Sequence, residues 1–199
     1  MEHKRNLRPG TMLYPLPAVI VTCGTEGKNN MLTVSWTGTI CSDPAMCYIS
    51  VRPSRFSYPM IKERMEFTIN LTTEQMAAAT DWAGVRSGAD YDKWKETGLT
   101  PVPGVKVACP SIAESPVNIE CRVKEIISLG THDMFIAEVL NVRADESLFD
   151  PETDAFRLDL AHLINYNHGG YYTQGEKIGK FGFSVQKKKE INFNHICCR

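Results

Sequence analysis

Short apolar segments alternate with turn-forming residues in the first half of the chain, a pattern typical of β-structure. Four segments rich in β-branched and aromatic residues predict strands at 18–23, 31–37, 46–51 and 67–71. Thr33, Ser35 and Thr37 alternate with apolar residues in the second segment, which indicates one polar face. The glycine- and asparagine-rich stretch 24–30 predicts a hairpin loop between the first two strands.

Three short helices are predicted between and after these strands. The first spans 57–65, with Ser57 as its cap and Pro59 in its first turn. Good helix formers fill 73–82 and predict the second. The third covers 91–96 and ends at Gly98.

The second half of the chain predicts one long hairpin. Apolar-rich segments at 117–129 and 134–142 are joined by a four-residue tip, whereas 158–164 fits a strand or a helix equally well. Many short strands, hairpin loops and a few helices predict a mainly β domain, a closed or partly closed antiparallel barrel with helical insertions. The chain has no G-x-G-x-x-G fingerprint and no βαβ alternation, which excludes a Rossmann domain.

Composition limits the partners of this domain. The 199 residues are 43% hydrophobic and carry a formal net charge of -1, so one folded domain is expected, with no nucleic-acid or membrane partner. No apolar run approaches the roughly 20 residues that span a bilayer, and the polar start predicts no signal peptide. The odd count of seven cysteines favours reduced thiols and a cytoplasmic location.

The strongest local cluster of candidate binding residues follows the third predicted strand. Two arginines, two serine hydroxyls and the first N–H groups of a helix would suit a phosphate; the residues are Arg52, Ser54, Arg55 and Ser57. A polar turn with surface arginines is the alternative interpretation of this stretch. An anionic ligand in a chain of such low net charge requires a local cluster of this kind.

Two further segments have both a functional and an ordinary interpretation, and a third has only an ordinary one. Residues 30–37 would offer hydroxyls and backbone donors to a flat ring, or form a plain edge strand. The loop 87–93 contains Tyr91 and Lys93 and is unremarkable alone. His132 at the predicted hairpin tip would contact a ligand, or be an exposed turn residue.

Other catalytic and metal motifs are missing from the sequence. The stretch His195-Ile196-Cys197-Cys198 does not have the spacing of a standard zinc site, so no metal is predicted. The chain contains no G-x-S-x-G, H-E-x-x-H or Walker sequence.

The order of several segments resembles the flavin reductase-like family, and within it the flavoredoxin branch. The segments that carry the resemblance are 17–22, 30–36, 49–57, 66–71, 87–88, 92–93, 98–100, 114–116, 119–121, 130–132, 135–139 and 169–172. They cover a core of about residues 10–184 within one domain of 1–199 and leave 185–199 as a tail. The chain differs from the family at Thr131, where the family's turn has Asp, and at Ala137, where glycine is common.

The resemblance implies an FMN-binding split β-barrel that is usually a homodimer. Phosphate would be held by Arg52, Ser54, Arg55 and Ser57, with added charge from Lys93, and His132 would lie on the nicotinamide side. The isoalloxazine and ribityl chain would be bordered by Asn30, Met31, Leu32, Thr33, Val34, Ser35 and Trp36. The implied function is an NAD(P)H:flavin reductase or a flavoredoxin-like electron-transfer protein that passes electrons to a small-molecule or protein acceptor. A non-enzymatic flavin carrier or sensor is the alternative.

Overall fold

Twelve strands and three α-helices make up the computed structural model over residues 3–25 and 27–185, the part of the chain that it describes. The strands are β1 Leu16–Pro17, β2 Val19–Thr25, β3 Lys28–Val34, β4 Thr37–Ser42, β5 Ala45–Val51, β6 Glu66–Leu71, β7 Pro101–Val102, β8 Ser111–Ile112, β9 Val117–Ser128, β10 Asp133–Ala144, β11 Ile164–Asn167 and β12 Gly170–Thr173. The helices are α1 Ser57–Arg64, α2 Ala77–Val85 and α3 Lys93–Thr97.

Seven strands form one antiparallel sheet that curls into a partly closed barrel. Its order is β3-β2-β6-β9-β10-β5-β4, so β3 and β4 are the two edges. Only Ser35 and Trp36 separate these edge strands in the chain, and a fully extended chain gains at most about 3.6 Å per residue. The sheet must therefore bring its edges close together, and the Ser50 N–H donates a 2.9 Å hydrogen bond to the Trp36 carbonyl, which holds the connecting residues against β5. The expected mainly β, partly closed barrel is confirmed.

The interior of the barrel is the main hydrophobic core. Alternate residues of β2, β5, β6, β9 and β10 point inward, and Phe67 and Phe135 are its largest fully buried side chains. A second cluster packs α2 and α3 against the outer face of β2 and β3 and includes Ile20, Met31, Met76 and Ile112. This second cluster holds the helical insertions against the β3 edge of the barrel.

The structure corrects the predicted strand at 31–37. The strand ends at Val34, and Thr37 begins a separate strand, β4, which the sequence pattern did not predict. The break has a geometric cause, because the chain crosses here from one edge of the barrel to the other. The predicted hairpin at 117–142 is confirmed as β9 and β10, and 158–164 divides into a 3-10 turn at Leu158–Ala161 and the start of β11.

The three predicted helices are present with shifted ends. Ser57 is the first residue of α1 and not its cap; Phe56 occupies the cap position, and no side chain caps this helix. The second predicted helix begins as a 3-10 turn at Glu74–Met76 and extends to Val85. Gly98 ends α3, as predicted, and its backbone is in the left-handed conformation.

Some expectations concern residues near the ends of the chain. Residues 186–199 of the predicted tail, which include the stretch 195–198, lie outside the described residues. Within the described part, no helix is long and apolar enough to cross a membrane. The five cysteines that the structure describes are all unpaired thiols.

Candidate functional site

A cleft opens between β3, one edge of the sheet, and the end of β5 with the loop that follows it. It consists of two adjoining cavities of about 340 and 160 Å³ that share Leu32, Thr33, Arg52 and Arg55. The larger volume lies within the range typical of cofactor and ligand pockets. The larger cavity continues between α1 and the end of α2, and the smaller one ends at Trp36 and His132.

The loop that follows β5 forms one wall of the larger cavity. The loop is folded tightly, since the Arg55 N–H donates to the Arg52 carbonyl at 3.0 Å and the Tyr58 N–H donates to the Arg55 carbonyl at 2.9 Å. This folding places the two arginines and Ser54 at the cavity, immediately before α1 begins. The positive end of the α1 dipole lies at the same wall and would add to the attraction of an anion.

Ser57 is held in place from the opposite wall. Asn30 Nδ2, on β3, donates a 2.7 Å hydrogen bond to Ser57 Oγ, and both residues are buried. The Ser57 hydroxyl remains able to donate its own hydrogen to a ligand.

Lys93 closes the far end of the larger cavity. Its side chain is almost completely buried, at 4% exposure, and Nζ donates a 2.6 Å hydrogen bond to the Ala83 carbonyl. Burial, with a further contribution from the Arg55 charge, lowers the pKa of this ammonium to about 8. A bound anion would reverse part of this shift, because it favours the charged form.

His132 lies at the other end, at the tip between β9 and β10. Its ring centroid is 4.5 Å from that of Trp36, and Nδ1 lies 3.0 Å from the Thr131 hydroxyl. Burial lowers the pKa of His132, and the charges of Arg52 and Arg55 lower it further. The imidazole is therefore neutral at physiological pH.

The charges around the cleft favour an anion. The side chains that line it include four cationic residues and no carboxylate; the cations are Arg52, Arg55, Arg86 and Lys93. The Arg55 charge contributes to the lowered pKa of His132 at one end of the cleft and of Lys93 at the other, so both groups lie in its positive field. A dianionic phosphate would neutralise this field, and the uncharged β3 edge beside it suits a flat ring system. The residues present thus fit a flavin mononucleotide.

The structure brings most of the predicted site residues together. The larger cavity is lined by Asn30, Leu32, Thr33, Arg52, Ser54, Arg55, Ser57 and Lys93, and the smaller one by Val34, Ser35, Trp36 and His132. Met31 is the exception, since its side chain is fully buried in the second core cluster and lines neither cavity. Alternation along β3 causes this, because successive side chains point to opposite faces.

Two of the hydroxyls that were expected to face a ring are used within the protein. Thr33 Oγ1 donates to the Thr80 carbonyl, and Thr37 Oγ1 donates to the Tyr48 carbonyl at 2.6 Å. Thr37 is buried on β4 and does not line the cleft. Of these three hydroxyls, that of Ser35 is therefore the one that lines the cleft and donates to no acceptor among the described residues.

One wall of the cleft was missed by the sequence reasoning. It is formed by the end of α2 and the segment after it, together with Phe56; the residues are Ala83, Gly84, Arg86, Ser87 and Gly88. A β-carbon on Gly88 would lie 2.4 Å from Asn30 Oδ1, so this position requires glycine for close packing. The two glycines, at 84 and 88, are the signal in the sequence that marks this wall.

Comparison with known proteins agrees with this geometry. The model of the flavin reductase like domain matches residues 11–174. The flavoredoxin of Desulfovibrio vulgaris (Miyazaki F) superposes with a TM-score of 0.84 at 30% identity, covering 92% of this chain and 100% of that chain. An uncharacterised protein of Archaeoglobus fulgidus is 33% identical over 71% of this chain and 80% of its own length. An NADPH-flavin oxidoreductase of Streptomyces viridifaciens is 27% identical over 71% of this chain and 73% of its own length.

These matches confirm the family and the split-barrel fold that the ordered segments predicted. The family match extends across the cleft, because residues 11–174 include β3, the loop after β5, Lys93 and His132. The chain belongs to the flavin reductase-like family.

Proposed function

We propose that the chain binds FMN in this cleft and acts as an NAD(P)H-dependent oxidoreductase, either a flavin reductase or a flavoredoxin-like electron carrier. The observation that carries the proposal is the cluster of cations without a carboxylate along one cleft; burial lowers the pKa of both Lys93 and His132, and the arginine charges lower it further. The similarity to a flavoredoxin and to an NADPH-flavin oxidoreductase supports the same assignment.

The residues of the larger cavity would hold the phosphate. Arg52 and Arg55 supply charge and guanidinium donors, Ser54 and Ser57 supply hydroxyls, and Lys93 supplies a buried ammonium. Bound FMN would supply the redox chemistry, as a two-electron acceptor from nicotinamide and a donor to the next carrier. The chain's own part is to bind the phosphate, orient the ring along β3 and exclude water.

The β3 edge and Trp36 would border the ring. Leu32 and Val34 are buried and apolar, whereas Ser35 contributes a hydroxyl beside them. A polar group fixed in such an apolar wall determines the orientation of a ligand more than its affinity.

His132 would contact the nicotinamide side of the site. Its lowered pKa keeps the ring neutral, and Nε2 has no hydrogen-bond partner among the described residues. A neutral imidazole provides one donor or acceptor and no charge, which suits an uncharged carboxamide better than a phosphate.

We also propose that two copies of the chain associate. Apolar side chains of the two terminal segments are unusually exposed for a soluble chain; they include Leu13 at 83%, Ile178 at 93% and Phe181 at 106%. A second subunit would cover such segments, and sedimentation or light scattering of the full chain measures the stoichiometry directly.

The absorption spectrum of the protein as purified, followed by anaerobic addition of NADH or NADPH, tests the function. A yellow protein that releases FMN on denaturation and bleaches rapidly with either nucleotide is the expected result. A colourless protein that also fails to bind added FMN would overturn the assignment.

A passive flavin carrier is the second candidate, favoured by Thr131 and Ala137, where the chain differs from its family. A yellow protein that neither nucleotide bleaches would support it over the reductase. Chemically reduced holoprotein mixed with electron acceptors, small molecules first and then oxidised partner proteins, would next separate a carrier from a storage protein.

A further inference from the structure

Tyr58 and Asp133 form a hydrogen bond that joins two parts of the candidate site 75 residues apart in the chain. Tyr58 Oη donates to Asp133 Oδ2 at 2.5 Å, and Ser128 Oγ donates to Asp133 Oδ1 at 2.7 Å. The two hydroxyls satisfy both carboxylate oxygens, so they lower the pKa of Asp133 and keep it ionised.

The carboxylate of Asp133 is nearly buried, and besides the two hydroxyls the charge of Lys62 favours its ionised form. Asp133 is 7% exposed, and its neighbours include Phe135 and the Tyr58 ring, which meet edge to face at 5.5 Å. A buried charge is costly to desolvate, and a well-packed apolar side chain is often equally stable at such a position. What a charged hydrogen bond adds is a defined geometry.

Asp133 and Tyr58 are each next to a candidate site residue in the chain. Asp133 directly follows His132 and lies opposite Val51, the residue before Arg52. Tyr58 directly follows Ser57, the first residue of α1. The hydrogen bond therefore spans from the hairpin tip that carries His132 to the helix that begins at the phosphate loop.

We propose that Tyr58 and Asp133 are a positioning pair that holds His132 against Trp36, at a fixed place relative to the phosphate loop. Neither residue lines the cleft, so the pair acts through His132 and not by contact with a ligand. The effect on nicotinamide rests on the proposed function, whereas the effect on the position of His132 does not.

The first test uses the flavin-free protein and requires no activity. Trp36 lies 4.5 Å from His132, so its ring current shifts the imidazole proton resonances of His132 in an NMR spectrum. Tyr58→Phe keeps the aromatic packing, removes the hydroxyl and is expected to move these resonances toward their unshifted positions. Ser128→Ala, which removes the other donor, should move them in the same direction. Unmoved resonances in both variants would overturn the proposal.

Tyr166→Phe is the matched control for a lost tyrosine hydroxyl. Tyr166 packs against Tyr14 and Tyr171 in the small sheet and lines neither cavity. This variant should leave the His132 resonances in place. If it shifts them as far as Tyr58→Phe does, the effect is a general loss of packing and the proposal is wrong.

The second test is a double-mutant cycle on the reduction of bound flavin by NAD(P)H. Tyr58→Phe and His132→Ala should each raise the KM for the nicotinamide about tenfold, and the double variant should be no worse than His132→Ala alone. FMN affinity should stay within about twofold, because the phosphate donors are unchanged. Additive effects in the cycle would show that Tyr58 acts independently of His132.

The two tests separate the inference from the proposed function. If the NMR shift responds to Tyr58→Phe but NAD(P)H does not reduce the wild-type protein, the positioning pair is correct and the reductase assignment fails. If the wild type is reduced, the His132 resonances stay in place and the cycle is additive, the reductase assignment is retained and the positioning pair is rejected.

Discussion

Asn30 Nδ2 donates a 2.7 Å hydrogen bond to Ser57 Oγ, and this contact ties the ring side of the candidate site to its phosphate side. Asn30 lies on β3, whereas Ser57 begins α1 immediately after the arginine loop. Gly88 packs directly on the Asn30 amide, so the third wall of the cleft rests on the same contact. A change at any of these three positions should therefore affect flavin binding more than it affects folding.

Gly88→Ala tests this dependence without removing any donor. The new methyl would lie 2.4 Å from Asn30 Oδ1 and 2.7 Å from Nδ2, closer than atoms can approach, so the amide must move away from Ser57. We expect the affinity for FMN to fall by about tenfold or more, consistent with the loss of one buried hydrogen bond. Fluorescence titration with FMN measures this loss.

Gly175→Ala is the control for the added methyl group. Nothing lies within 4 Å of its β-carbon position, and its backbone is not in the left-handed region. FMN affinity should be unchanged in this variant. Equal affinities in the wild type and Gly88→Ala would show that the Asn30–Ser57 contact does not support the cleft.

The two arginines of the loop after β5 should each contribute to phosphate binding. Arg52→Ala or Arg55→Ala removes a guanidinium that lines both cavities, and we expect each to weaken FMN binding by about 1.5–3 kcal/mol, the range of charge-assisted hydrogen bonds. Arg122→Ala, which removes an ion pair with Glu66 outside the cleft, should leave binding unchanged. Unaltered FMN affinity in both loop variants would show that the cluster is only a polar turn.

The arginine loop could be predicted from the sequence because its functional side chains all lie within residues 52–57. Arg52, Ser54, Arg55 and Ser57 follow one another between a predicted strand and a predicted helix, so local pattern and local structure agree. The predicted strand at 31–37, which was expected to border the ring, was partly wrong. Its break at Ser35 and Trp36 follows from closure of the barrel, and no local pattern contains that information.

The wall after α2 escaped prediction for a different reason. It contributes two backbone carbonyls to the cationic side chains, since Ala83 accepts from Lys93 and Gly84 accepts from Arg55 at 3.4 Å. Every residue has a carbonyl, so side-chain identity gives no sign of this role. Met31 illustrates the opposite error: it lies within a segment that matches the family, but strand alternation turns its side chain into the core.

Asn70 should stabilise the fold without serving the cleft. Its amide nitrogen donates to the Ile20 carbonyl at 2.9 Å, and its amide oxygen accepts from the Ile112 N–H and from Asn118, each at 2.9 Å. Asn70→Ala removes these three buried hydrogen bonds, although Asn118 keeps its bond to the Ile112 carbonyl, and we expect the free energy of unfolding to fall by about 3 kcal/mol. Denaturant unfolding of the flavin-free protein measures it.

Asn165→Ala provides the comparison for Asn70→Ala. Asn165 makes one long, exposed hydrogen bond to the Thr173 carbonyl at 3.4 Å, so its removal should cost less than about 0.5 kcal/mol. Similar losses in the two variants would contradict the structural role assigned to Asn70. FMN affinity of the folded Asn70→Ala protein should equal that of the wild type, because Asn70 lines neither cavity.

Lys93 should make phosphate binding depend on pH. Its pKa is lowered from 10.5 to about 8, first by burial and then by Arg55, so the flavin-free protein loses this charge as the pH rises through about 8. The phosphate of FMN is already dianionic there, with a second pKa of about 6. Affinity for FMN should therefore be constant from pH 7 to just below 8 and decline above it, because binding must then include uptake of a proton by Lys93.

Lys93→Met and riboflavin identify the group responsible for the decline. The methionine variant keeps much of the side-chain volume without the charge, so it should bind FMN more weakly at pH 7 and lose the dependence on pH around 8. Riboflavin has no phosphate, and its affinity for the wild type should not fall over the same range. A decline that persists in Lys93→Met, or that riboflavin shares, would place the titrating group elsewhere and remove Lys93 from the phosphate site.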